Sequence, residues 1–316
     1  MSKKIILVFA ILIFYLGIII VSDFEKFSSN MLQFKIEYLG IVLALNFSVL
    51  VIKGFRQHNI LKKLGINVSN KDNLMLYFAG LSMLVTPGGT GQIIKSYFLK
   101  NKFGIEISKS FPLVFVERYN DLIAIMTIVT TILVIIQNYK LLLAVSVIWV
   151  IIILIYFIFR WNKVYIKIES IFTKINFLKK RIDGFSKSYK GLQTTTSKKM
   201  MIENWMFSIV AWCIDAISVY LIFLGFNQNL DLIYTTFVMY TSLLIGFITF
   251  LPAGLGVTEL SVIGLLTSKG IEISLVTSII IMIRLTSIWF ATIIGLLTTK
   301  IFLKDSFASK YNSEST

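Results

Sequence analysis

The sequence predicts an all-α fold: a polytopic membrane protein with six full transmembrane helices and two re-entrant helical hairpins arranged as an inverted repeat. Three observations carry this expectation. The chain has 316 residues, of which 56% are hydrophobic and only 15% charged, where a soluble domain carries roughly 25% charged residues. The apolar residues gather in runs such as 5–21 and 141–159, long enough to cross a hydrocarbon core of about 30 Å as helix. Two further apolar stretches, 73–110 and 231–267, are broken in the middle by Pro and Gly. The pieces on either side are too short to cross singly, and broken backbone at membrane depth is tolerated only inside protein or beside a wet cavity.

Taken in order, the first membrane repeat covers 1–140, with spans 4–22 and 37–56, hairpin 73–110 and span 112–136. The span at 4–22 follows Lys3 and Lys4. The residues at its far end, Ser22, Asp23, Phe24 and Glu25, lack a small-x-small cleavage pattern, so it reads as a retained helix. The second repeat covers 141–304, with spans 141–160 and 203–225, hairpin 231–267 and span 273–299. It carries a cytoplasmic amphipathic insert at 161–200, and a polar tail follows at 305–316. In the insert Ile168, Ile171, Phe172, Ile175, Leu178, Ile182, Phe185, Tyr189 and Leu192 recur at helical spacing among lysines. This predicts a helix lying on an anionic leaflet.

Net charge is +15. In a soluble protein that would point to nucleic acid; here the cations sit in loops, where they orient helices and meet anionic lipid. With the N-terminus inside, 25 Lys and Arg fall on the cytoplasmic side and 4 outside (Lys26, Lys35, Lys140 and Lys269), while Arg118 and Arg284 stay within the bilayer. The positive-inside rule then predicts a multi-pass protein of the cell membrane with both termini cytoplasmic. His58, beside Gln57 and Asn59, is read as solvated in a cytoplasmic loop, and Arg56, at the end of span 37–56, is counted among the cytoplasmic cations. The single cysteine, Cys213, lies in an apolar run with no Cys/His cluster, so neither a metal nor a cofactor is expected.

The two interruptions resemble each other. One reads Pro87-Gly88-Gly89-Thr90-Gly91 and the other Pro252-Ala253-Gly254-Leu255-Gly256. An arginine follows each at a matched distance, Arg118 and Arg284. Lys71 and Lys109 flank the first hairpin, which predicts entry from the cytoplasm. The second must enter from outside for the last span to end at Lys300. Inverted repeats with broken helices recur in transporters, with the substrate at the repeat interface. Charges in hydrocarbon are costly and remain only when paired or functional. Here they are Glu117, Arg118, Asp121, Asp215, Glu259 and Arg284. Glu117, Arg118 and Asp121 share one side of a helix, where Arg118 partly neutralises the acids. Glu259 follows the second glycine turn, near a positive helix end, with Arg284 as its partner. Glycines at Gly89, Gly91, Gly254 and Gly256 permit the turns after Pro87 and Pro252 and let backbone N–H groups face an anion. With Lys95, these residues form the candidate binding set for a phosphate-bearing ligand.

The stretches Thr86-Pro-Gly-Gly-Thr-Gly-Gln-Ile-Ile-Lys95, Glu117-Arg-Tyr-Asn-Asp121, Leu251-Pro-Ala-Gly-Leu-Gly-Val-Thr-Glu259 and Arg284-Leu285 resemble the lysylphosphatidylglycerol synthase transmembrane-region family, flippase-like membrane proteins. The resemblance covers nearly the whole chain. It implies a membrane domain that moves or presents lipids with charged head groups. The aminoacyl-transferase domain that makes the lysyl-lipid in larger members is absent here. Gln92 stands where the family pattern has Glu, and Lys95 where it has Arg, so a cationic-lipid preference does not carry over. The expected function is therefore binding and translocation of a charged-headgroup lipid, anionic or polyprenyl-phosphate in type, without catalysis. Alternatives are an accessory subunit or enzyme of lipid aminoacylation or glycosylation, and a carrier of a soluble anion. A homo-oligomer and a separate transferase are partners this reading leaves open.

Overall fold

A computed structural model describes residues 17, 20, 23–86, 90–174, 182–249, 251 and 253–313. Most of the expected span 4–22, together with Pro87, Gly89 and Pro252, lies outside the described residues. Those described form helices and no strand: α1 (Phe24–Leu32), α2 (Glu37–Lys63), α3 (Asn70–Leu81), a 3-10 turn (Thr90–Ile93), α4 (Ile94–Phe103), α5 (Ile107–Ile135), α6 (Tyr139–Arg160), α7 (Asn162–Lys174), α8 (Ile182–Thr195), α9 (Lys198–Gly225), α10 (Leu232–Ile248), α11 (Val257–Thr267), α12 (Ile273–Arg284), a π-helical turn (Leu285–Trp289) and α13 (Phe290–Ser313). Five helical segments among them are long and apolar enough to cross a membrane: Glu37–Lys63, Ile107–Ile135, Tyr139–Arg160, Lys198–Gly225 and Ile273–Phe302.

The chain forms two compact units, each assembled from separate stretches. One contains the chain up to Ser48, Leu84–Thr90 and Cys213–Thr292. In it α1 lies along α12: Asn30 Nδ2 donates to Ser274 Oγ, and Lys26 pairs with Glu272 at 2.6 Å. α10 and α11 pack as a pair, with Val238, Val262 and Leu266 buried and the Tyr234 hydroxyl donating to the Leu265 carbonyl. The turn between them holds Ala253, Gly254 and Gly256 at positive φ. A Cβ on Gly246 or Gly254 would collide with the Thr258 hydroxyl, so small residues let the turn fold back onto α10.

The other unit contains Val49–Met83, Gly91–Trp212 and the chain from Ile293. Its core joins Ile60, Leu61, Leu64, Leu76, Leu99, Leu113, Leu192 and Phe302. Those residues explain why α2 runs on to Lys63 rather than stopping at 56. Ile60, Leu61 and Leu64 continue the apolar face one turn after another. Gln57 and His58 therefore belong to a helix and not to a solvated loop; Arg56 and Gln57 are fully buried and His58 is half-buried. The expected first hairpin also divides differently. α4 ends at Gly104 with φ +66, a left-handed stop suited to glycine, and 107–110 belong to α5.

The insert at 161–200 folds as two helices, α7 and α8, with 175–181 outside the described residues. The apolar stripe of α8 faces protein, not a lipid leaflet: Tyr189 and Leu192 are buried, and the Tyr189 hydroxyl donates to the Ile158 carbonyl at 2.7 Å. Pro112 inside α5 supplies one reason. Proline has no N–H, so the carbonyl four residues earlier loses its helical donor. That carbonyl is Ser108, and the Ser188 hydroxyl of α8 donates to it at 2.8 Å. Gly191 of α8 leaves room for the Pro112 ring.

α13 packs backbone-close on the end of α3. A Cβ at Gly295 would strike the backbone of Leu81 and Ser82, and the Thr299 hydroxyl donates to the Ala79 carbonyl at 3.1 Å. Gly295→Val should destabilise the protein by about 1–3 kcal/mol through overpacking, read as a lower melting temperature in detergent. A melting temperature equal to wild type would refute this close packing.

Candidate functional site

Charged side chains inside the apolar helices form two centres, one in each unit. The first belongs to the unit of α10, α11 and α12. Val257 begins α11, and Glu259 stands in its first turn. The Glu259 carboxylate accepts from the Gly256 N–H at 2.7 Å through Oε2 and from Arg284 Nε at 2.7 Å through Oε1. The pair expected from the sequence is therefore formed, and it is buried, with side chains 1% and 5% exposed. Helix α11 supplies an N–H and its positive end to a carboxylate of its own. Arg284 ends α12 just before the π-helical turn, a local widening common at functional positions. Its Nη2 is buried without a hydrogen-bond partner. In the same unit the Tyr240 hydroxyl donates to Asp215 at 3.1 Å.

The second centre belongs to the other unit and is built around α5. Asp121 accepts a two-pronged contact from Arg56 of α2, at 2.7 Å to Oδ1 and 3.4 Å to Oδ2. Such a fork is among the stronger hydrogen-bonded ion pairs. Trp212 Nε1 of α9 donates to the same carboxylate at 3.2 Å, and Lys53 stands 3.6 Å away over the Trp212 ring. The Ser208 hydroxyl accepts from Arg56 at 2.6 Å. One turn earlier on α5, Glu117 pairs with Lys95 of α4 at 2.7 Å, and both are fully buried. Lys95 reaches it across α3, where Gly80 leaves the room and the Tyr77 ring lies beneath the ammonium at 4.7 Å.

Arg118 is not the main neutraliser of its neighbours. It stands 3.9 Å from Asp121 and is 31% exposed, while its Nη2 donates to Gln92 Oε1 at 3.0 Å. Helical direction explains this. Glu117 and Asp121 are four apart and point the same way into the core, whereas Arg118 lies about 100° round the helix from Glu117. Lys95, Glu117, Arg118, Asp121 and Gln92 are thus brought together; Gly91 lies in the 3-10 turn leading to α4. Glu259, Arg284 and Gly256 are brought together separately, with Gly254 in the turn before them.

Sequence reasoning missed Arg56 and Lys53. Their signal was present: the apolar series at Ile60 and Leu64, four and eight residues beyond Arg56, marks a helix continuing past the expected end. The centre on α5 therefore gathers Lys53, Arg56, Lys95 and Arg118 about Glu117 and Asp121. Among the described residues no three His, Cys, Asp or Glu gather as metal ligands.

Removing one member of a fully buried pair strands the other. Glu117→Gln and Lys95→Met should each cost about 3–5 kcal/mol, seen as a lower detergent melting temperature. The double variant K95M/E117L should recover most of that loss. A double variant no better than the singles would show that the two side chains do not act as a pair.

The comparisons with known proteins agree with this membrane-embedded layout. A UPF0104 membrane protein of Methanocaldococcus jannaschii is 28% identical over 237 residues, covering 72% of this chain and 98% of its own length. Another, of Pyrococcus horikoshii, is 24% identical over 302 residues, covering 86% of this chain and 89% of its own. A third, of Methanothermobacter thermautotrophicus, is 21% identical over 290 residues, covering 85% of this chain and 84% of its own. With the apolar helices, these relatives identify a polytopic integral membrane protein. The model of the lysylphosphatidylglycerol synthase TM region matches residues 5–295, and the chain belongs to that family.

Proposed function

We propose that this protein binds the phosphate-bearing head group of a membrane lipid and carries it across the bilayer. The observation that carries this reading is Arg118, a cation among apolar helices left part-exposed beside the buried pairs of α5. Lys53, Arg56, Lys95 and Arg118 stand with Glu117 and Asp121 inside apolar helices, and charge at that depth is retained for pairing or for function. Pairing accounts for Arg56 and Lys95. Arg118 is left half-exposed, with Nε buried and without a hydrogen-bond partner. Its guanidinium fork suits a phosphate. Lys53 adds charge nearby, and the glycine-rich turn at Gly91 precedes the start of α4, whose positive end favours an anion.

Glu259 and Arg284 take a different role in this reading. Glu259 already holds the Gly256 N–H and Arg284. The pair then fixes the second turn while the centre on α5 meets the lipid. We read the two broken helix pairs as re-entrant hairpins of an inverted repeat, in the cell membrane, with both termini cytoplasmic. The matched P-[GA]-G-x-G turns and the lysine asymmetry support that assignment. The lipid would be anionic or a polyprenyl phosphate, and its tails would remain in the bilayer.

Reconstitution into vesicles with fluorescent phosphatidylglycerol tests the proposal. Dithionite reports how much label reaches the outer leaflet. Wild type should accelerate translocation over empty vesicles. Arg118→Ala should slow it by about tenfold or more, the loss of one charge-assisted contact, and Arg118→Lys should recover part of the rate. Translocation unchanged in Arg118→Ala would overturn the assignment of that residue. No acceleration by wild type, with this lipid or with a polyprenyl phosphate, would overturn the function.

A further inference from the structure

Within the α5 unit, α2 and α9 leave a groove of about 890 Å³ on a side the translocation reading does not use. Its residues are graded along its length. At the end where α2 stops and α9 starts, it is lined by Lys62, Lys63 and Lys199. Glu203 is the acid lining it there, 3.9 Å from Lys199. Toward the middle of both helices the lining turns apolar, with Ile52, Met206 and Val210. Met206 and Val210 are 58% and 51% exposed. From Lys63 back to Ile52 is about 16 Å of helix at 1.5 Å per residue.

The two helices are both long and apolar enough to span a membrane. Their shared basic end therefore lies at head-group depth, and the apolar walls lie beside acyl chains. Lys62 and Lys63 stand in the last turn of α2 and offset the negative end of its dipole, while the start of α9 contributes a positive end. A soluble anion would use the mouth and leave the walls bare. A neutral apolar ligand would use the walls and leave three lysines against one carboxylate. An amphiphile with an anionic head uses both.

We infer that the α2–α9 groove binds one anionic phospholipid, with its head group on Lys62, Lys63 and Lys199 and an acyl chain along Ile52, Met206 and Val210. The inference stands whether or not the protein moves lipid. The site also has a mechanical reach. α2 carries Lys53 and Arg56, and α9 carries Ser208 and Trp212, all gathered about Asp121. A lipid seated between the two helices sets their separation, and so bears on that centre.

Native mass spectrometry of the full-length protein tests this, after incubation in detergent with equimolar phosphatidylglycerol and phosphatidylcholine. Wild type should retain phosphatidylglycerol in preference. The triple variant K62Q/K63Q/K199Q should lower that retention by about tenfold, while K62R/K63R/K199R keeps it. Met206→Trp, which fills the groove without touching charge, should lower it as well. K167Q/K174Q on α7 should leave it unchanged. Retention in the triple glutamine variant equal to wild type would overturn the site. So would an equal loss in the α7 control, or displacement of the lipid by millimolar inorganic phosphate. The substituted lysines are exposed, and an unchanged melting temperature verifies that each variant is folded.

Discussion

Each carboxylate that α5 buries must find its counter-charge on another helix, because hydrocarbon offers no water to solvate it. Glu117 finds Lys95 on α4, and Asp121 finds Arg56 on α2 with Trp212 of α9. Two acids one turn apart therefore tie three other helices to α5. The rest of that unit follows. Lys95 can reach Glu117 only because Gly80 leaves α3 bare where the lysine crosses it. α2 must remain helical through Arg56 to deliver the guanidinium. Pro112, a few residues before Glu117, draws α8 onto the same helix by leaving the Ser108 carbonyl without its helical donor.

The two buried pairs that follow the glycine turns have opposite polarity. After the first turn the cation stands on the short helix, at Lys95, and the acid on the long one, at Glu117. After the second turn the acid stands on the short helix, at Glu259, and the cation on the long one, at Arg284. The difference matters at the helix ends. A carboxylate in the first turn of α11 takes up the positive end of that helix by accepting the Gly256 N–H. A lysine near the start of α4 does the reverse and adds to the positive potential there. One short helix thus begins with an acid that takes up its positive end, and the other with a cation that adds to it.

The α5 centre was partly legible in the sequence. Glu117, Arg118 and Asp121 stand out as charges in an apolar run, and Lys95 follows the glycine turn at a distance the matched motifs make visible. The pairing was not legible. Adjacent positions on α5 suggested that Arg118 serves the neighbouring acids, yet the acids turn into the core while Arg118 turns aside. Arg56 was hidden by a boundary. A basic cluster after an apolar run resembles the end of a span, and it masks the apolar series Ile60, Leu61 and Leu64 whose burial carries the helix on. The α8 half of the insert misled for a related reason. Its periodic apolar stripe describes a helix with one dry face, and periodicity is blind to whether lipid or protein covers that face.

The sequence by itself determined the class of the molecule, because composition and run length follow from the solvent the chain must dissolve in. It also determined where the chain breaks, since Pro and Gly act locally on backbone geometry, and it marked the charges that hydrocarbon would not tolerate alone. The tertiary structure decided which charge meets which. Ion pairing depends on contacts between separate helices, such as Arg56 with Asp121 and Lys95 with Glu117. Such contacts are set by packing and by the room that Gly80 and Gly246 leave for their neighbours.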